Sequence, residues 1–422
     1  MGEERSIPSP PAPRGSETSI IDEIPTTAGL VLWLDVRHIR DWAQAPFDIR
    51  GALFPSPVKR HVLMLREHAR AERGEIADAL VAFEDLLTNP TEADPRVLAQ
   101  ACAEVAGWAA ANSLVQTAIE YAETAALVDP ISPALANLAG RTTRNASEFG
   151  RAEIWFRRGI GYARLQDDKV ELARGHLGRG ILYQEIGKLG SAKKHMHAGA
   201  RVAREKGLDW LAAEAQHDLM LLLAVHGQYH EAEKHANFAV KWYGSRHPRF
   251  PLFAADVALL MVLQAQYRSA ARLARGALRH VREPSARSVI LALLARALVG
   301  AGLGDELDRL RRRVLALVRS HGDREAVALW HLAAAEHAAR RWRDAGAHAT
   351  RALELASEQS DRETARLSSR LLAAIRAKKP APQVAASRGP ELADLVEAVS
   401  SRLSNWTPER RALSPVRAAW VA

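Results

Sequence analysis

Apolar residues along this chain recur at the three-to-four-residue spacing of helices, and no run alternates apolar and polar residues as a half-buried strand does. Leu32, Val36, Ile39 and Trp42 form one such stripe, punctuated by Pro46 and Pro55, which predicts one or two helices between residues 20 and 57. After Asp361, the residues Ala365, Leu367, Leu371, Leu372 and Ile375 share one side of a helix running to about Ala377. A last helix begins at Pro390, with Glu391 and Asp394 in the first turn, where the helix dipole favours acids. Its apolar stripe is Leu392, Leu395, Val396, Val399 and Leu403.

Between these ends, small residues repeat. Gly140 is followed at fixed offsets by Ala152, Phe156 and Gly159, and Gly180 by Gly187, Ala192, Met196 and Gly199 in the same frame. Eight such units follow one another from Gly74, Ala79 and Phe83 to Trp342, Ala345 and Ala352; the seventh is degenerate, with Leu307, Arg311 and Val314 in the frame. Ala152, Ala192, Ala232 and Ala270 are 40, 40 and 38 residues apart, and two further units reach Ala345 after 75. A period of roughly 34 to 47 residues marks solenoids of paired helices. Antiparallel helices approach closely only where side chains are small, and aromatics such as Phe83, Phe156 and Tyr183 suit the wedge between pairs.

This pattern resembles the tetratricopeptide repeat over about seven-tenths of the chain. The resemblance implies an all-α, right-handed superhelical solenoid of antiparallel helix pairs, with the first helix of each pair lining a concave face. The period exceeds the family's basic ~34 residues and is similar to that of longer-period bacterial regulators. The expected organisation is a disordered tail over 1–19, a capping segment over 20–57 and the repeat array over 58–377, closed by a capping helix. A linker over 378–389, the amphipathic helix over 390–404 and a tail over 405–422 follow.

Composition narrows the function classes. With 422 residues and 48% hydrophobic content the chain has ample core. The lone Cys102 excludes an intramolecular disulfide framework and any multi-cysteine metal centre. Residues 1–15 carry Pro8, Pro10, Pro11 and Pro13 and lack the apolar centre of a signal peptide. The longest apolar runs, 252–264 and 289–302, are interrupted by Asp256 and Arg296 and fall short of the ~20 residues that span a bilayer. The expectation is a cytoplasmic protein with no membrane partner. A net charge of +9 is modest for this length, and runs such as Arg311–Arg313 read first as solvated helix faces.

Catalytic chemistry is not legible. Gly300, Gly302 and Gly304 lack the strand and the Lys-Ser/Thr of a phosphate loop. His195 and His197 are two residues apart and diverge on a helix, while Gly227 separates His226 from His230. His195, His235 and His348 share one frame position, read as a solvated second-helix face, so no metal, cofactor or catalytic residue is expected. The resemblance instead places Asn137, Arg141, Arg144, Arg174, Gln184 and His217 on the concave face, where guanidinium and amide groups suit a carboxylate or a peptide backbone. The same mapping puts Leu221, Leu259, Val262 and Leu263 there as an apolar patch, a candidate acceptor for the C-terminal helix. The leading expectation is a non-catalytic scaffold or adaptor in a bacterial cytoplasm, binding a protein or peptide. A peptide-sensing regulator is the alternative, and nucleic-acid binding through Arg-rich faces comes third. Self-association through the C-terminal helix is a further expectation.

Overall fold

The computed structural model describes residues 7–12, 19–244, 246–320, 324–359, 361–379 and 390–407. Every regular element among them is a helix, and no strand occurs among the described residues. Helices α1 (Ile20–Glu23) and α2 (Thr27–Gln44) precede the pairs α3 (Ser56–Glu72) and α4 (Ala77–Thr88), α5 (Pro95–Ala111) and α6 (Val115–Val128), and α7 (Pro133–Asn145) and α8 (Phe149–Leu165). Then come α9 (Lys169–Glu185) and α10 (Leu189–Glu205), α11 (Asp209–Val225) and α12 (Tyr229–Trp242), and α13 (Phe250–Leu263) and α14 (Tyr267–His280). The series ends with α15 (Pro284–Gly300) and α16 (Leu307–Ser320), α17 (Glu325–Ala338) and α18 (Trp342–Glu358), then α19 (Arg362–Arg376) and α20 (Pro390–Ser404). Helices of a pair pack on one another in α5–α6, α7–α8, α11–α12, α13–α14 and α17–α18, consistent with a helical repeat. The chain divides into two compact units, Met1–Gly178 and Arg179–Arg410, with the boundary inside α9.

The long period has a local cause. Helices α8, α9, α10 and α11 are each 17 residues long and are separated by three-residue turns. The middle residue of each turn has a positive φ, and it recurs every twenty positions as Ser147, Asp167, Gly187, Gly207 and Gly227. Two such helices and two such turns make a forty-residue repeat, so the extra length lies in the helices rather than in loops. Several first helices also share a start signal. Asp94, Ser132 and Glu283 cap α5, α7 and α15 through side-chain oxygens, each followed by a proline whose missing N–H costs the helix nothing.

The repeated glycines seat bulky partners. In the N-terminal unit, a Cβ on Gly140 or Gly178 would stand 2.9 or 2.3 Å from the Phe156 ring, so the two glycines make room for one aromatic. In the C-terminal unit, a Cβ on Gly180 would stand 2.6 Å from Met196 Cγ. Forty residues on, the frame holds Met220 and Ala236, both fully buried, with large and small exchanged between the two helices.

The N-terminal cap reaches further than the first pair. Helix α2 packs on α3 and also on α6. The Glu23 carboxylate accepts hydrogen bonds from the Gln116 and Thr117 backbone N–H groups at 2.6 and 2.8 Å, capping α6 from a distant part of the chain. Asp35 and Arg66 form a buried ion pair beneath α2, and Tyr121 donates to the Leu32 carbonyl at 3.0 Å. The disordered tail expected over 1–19 is ordered at residues 7–12, which lie on α8. Residues 1–6 and 13–18, residues 380–389 of the expected linker and residues 408–422 of the expected tail lie outside the described residues.

Helix α20 folds back onto its own unit. It lies along α12 and α14 and reaches α13 between them. Leu392, Leu395, Val396, Val399 and Leu403 are all buried in the core that these helices share. Arg402 donates to the Val240 and Tyr243 carbonyls at the end of α12, and the Trp406 indole N–H donates to the His247 carbonyl at 3.0 Å.

Candidate functional site

The structure gathers three of the predicted arginines and buries much of the rest. On α7 and α9, Arg141 lies within electrostatic reach of Arg144, Arg174 and the Glu171 carboxylate. Burial, together with the neighbouring Arg144 and Arg174 guanidiniums, pushes Arg141 down to about 9. A guanidinium keeps its proton at neutral pH, so Arg141, Arg144 and Arg174 are all charged. Glu171 is already engaged: it accepts from Arg174 Nη1 at 2.6 Å and from Asn137 Nδ2 at 3.0 Å. Arg144 also donates to Asn145 Oδ1 at 2.7 Å. Guanidinium groups in general bind anions through charge-assisted, forked hydrogen bonds.

Asn137 does not lie on an open face. It is 0% exposed, and its Nδ2 also donates to the Glu171 carbonyl at 2.9 Å. A Cβ on Gly159 or Gly175 would meet its Oδ1 at 2.2 or 2.9 Å, so it is a packed bridge between α7, α8 and α9. Its amide holds the Glu171 carboxylate that Arg174 also engages.

Gln184 and His217 belong to the other compact unit. Gln184 is half-buried on α9. His217 is 2% exposed and is a core residue rather than a surface one. Its Nε2 lies 2.8 Å from Asp256 Oδ2 and its Nδ1 3.1 Å from the Tyr243 hydroxyl, with Phe253 edge-on to the ring. Beside it, Arg249 bridges Glu214 at 3.5 Å and Asp218 at 3.3 Å, and these carboxylates hold its guanidinium above its ordinary range. The network ties α11 to the loop before α13.

The expected apolar patch is not an open surface. Leu259 and Val262 are buried, and Leu221 and Leu263 pack against the same core. These residues are apolar because neighbouring helices cover them. Helix α20 packs against α12, α13 and α14, in the same core as Leu259 and Val262, with Leu403 over Gly276. Its stripe is thereby buried within the chain rather than offered to a second copy.

The frame-sharing histidines also turn inward. His235 Nδ1 lies 2.5 Å from Gln216 Oε1, His348 Nδ1 lies 2.7 Å from Glu336 Oε2, and the buried His195 packs on the Tyr183 ring. They link the second helix of a pair to its first, in place of the solvated face expected. Among the described residues, no group of three or more His, Cys, Asp or Glu side chains could hold a metal ion.

Sequence reasoning passed over Arg151, Trp155, Arg158 and Tyr162, a stripe on α8 with spacings of three and four. The signals available were that spacing and the interval from Pro8 to Pro11. Compared with protein-family models and with curated proteins, the chain matches none.

Proposed function

We propose that this protein is a non-catalytic scaffold or adaptor that binds a protein or peptide partner and takes an anionic group of that partner on Arg141, Arg144 and Arg174. The observation that carries the reading is the proximity of three guanidiniums, Arg141 and Arg144 on α7 and Arg174 on α9, close enough for Arg144 and Arg174 to help push Arg141 down. Like charges held together gain most when an anion enters among them. The helix pairing and the forty-residue repeat support a tetratricopeptide-like, right-handed array, and a bacterial cytoplasm is the setting proposed. Among the described residues no helix is long and apolar enough to cross a membrane.

An array of peptides with free C-terminal carboxylates, each paired with its amidated form, tests the reading. The chain should prefer the carboxylate forms, and Arg141→Glu with Arg144→Glu should erase the preference without loss of helical circular dichroism. Equal binding of both forms contradicts the reading. A preference for oligonucleotides with a steep salt slope would favour nucleic acid instead.

A further inference from the structure

Residues Ile7–Ala12 run without regular helix along α8. Ile7, Pro8 and Pro11 are half-buried, while Ser9, Pro10 and Ala12 face outward. Prolines buried three residues apart fit polyproline II, which repeats every three residues and leaves its carbonyls unpaired. Because proline has no N–H, such a segment is gripped through its carbonyls. Two arginines on α8 do this: Arg158 Nη1 donates to the Pro8 carbonyl at 2.7 Å, and Arg151 Nη1 to the Ala12 carbonyl at 2.6 Å.

Both donors are fixed in advance. Arg158 is 5% exposed, stands 5.6 and 5.4 Å from the Trp155 and Tyr162 ring centres, and also donates to the Pro130 carbonyl beyond α6 at 3.3 Å. Arg151 is forked onto Glu123 of α6 at 2.5 and 2.6 Å, and the Trp155 indole N–H donates to the same carboxylate at 2.8 Å. Gly161 leaves the space that Ile7 occupies, since a Cβ there would stand 2.6 Å from Ile7 Cγ1. A surface with donors oriented by their own partners and a shaped seat for one aliphatic side chain has the attributes of a recognition site.

We propose that this surface of α6 and α8 recognises extended proline-rich segments with the pattern aliphatic-Pro-x-x-Pro, that Ile7–Ala12 is its resident occupant, and that a partner carrying this pattern competes for it. The site is separate from the arginine cluster on α7 and α9, and either reading can fail without the other. A tethered occupant presents itself at an effective concentration on the order of millimolar, so a competitor in solution binds weakly until the resident leaves.

A fluorescent peptide copying residues 5–14, titrated against full-length chains by anisotropy, tests this. The Ile7→Asp chain, whose own segment loses its aliphatic anchor, should bind the peptide at least about ten-fold more tightly than the unaltered chain. Adding Arg158→Lys to it should remove that binding, because an ammonium lacks the fork that reaches both carbonyls. Arg158 also secures Pro130, so Gly161→Val in the Ile7→Asp chain serves as the second variant; it fills the Ile7 seat alone and should weaken binding equally. A peptide with Pro8→Ala and Pro11→Ala should bind poorly to every chain. The proposal is overturned if the Ile7→Asp chain does not bind the peptide, if Gly161→Val leaves binding intact, or if the unaltered chain is a dimer that Ile7→Asp makes monomeric.

Discussion

If α20 is a constituent of the core, Leu403 and Gly276 should be energetically coupled across the α14–α20 contact. Leu403 is 3% exposed, and a Cβ on Gly276 would stand 2.6 Å from its Cδ2. Leu403→Ala therefore opens a cavity over Gly276 and should cost about 2–5 kcal/mol. Gly276→Ala alone brings two opposing terms. Alanine favours the helix by about 0.8–1.0 kcal/mol, while a terminal methyl must shift to admit the new Cβ, so the net change should be within about 1 kcal/mol of zero. In the Leu403→Ala background the shift is unnecessary and the new methyl fills part of the cavity, so the same Gly276→Ala should stabilise by about 1 kcal/mol or more. The two changes should be non-additive by about 1–2 kcal/mol, within the range seen for residues in contact. Urea unfolding followed by far-UV circular dichroism measures each corner of the cycle, with an unchanged m-value as the check that the transition is the same. Additivity within about 0.5 kcal/mol, or a Leu403→Ala cost below about 0.5 kcal/mol, would refute the seating of α20 in this core.

Two further outcomes follow from the turns and the buried histidines. Ala265 holds a φ of 58° in the α13–α14 turn, so Ala265→Gly should raise stability by about 1 kcal/mol, whereas Gly187→Ala, at a φ of 75°, should lower it; thermal melting decides both. His235 is pushed down to about 4 by burial and by the neighbouring His197, from an ordinary value of 6.5. The unfolded chain then binds the proton first on acidification, so the stability tied to neutral His235 is complete above about 6.5 and is lost as pH falls toward about 4. His235→Gln should flatten that part of the stability–pH curve measured by urea unfolding, and an unchanged slope would contradict the assignment.

Helix positions and the repeat frame were legible because both depend on short-range spacing. The small residues Gly140 and Gly180 fall opposite Phe156 and Met196, as the frame implies. Facing was harder to read. The first helices are flanked on both sides, so a polar residue such as Asn137 can be buried once Glu171, 34 positions away, supplies its partner. By the same logic Leu259 and Val262 are core rather than an open patch. The proline-rich segment lacks any apolar periodicity of its own, and its order depends on Arg151 and Arg158, some 140 and 150 residues downstream. His195, His235 and His348 shared a frame that was visible, but their inward partners come from other helices.

The binding role itself is tested most directly by capturing partners on the immobilised chain and on its Arg141→Glu/Arg144→Glu variant, matched for helical content and melting temperature, with quantitative mass spectrometry of what each retains. A partner held by the unaltered chain and lost from the variant is the expected result. The same partner retained equally by both would contradict the assignment of binding to the arginine cluster on α7 and α9.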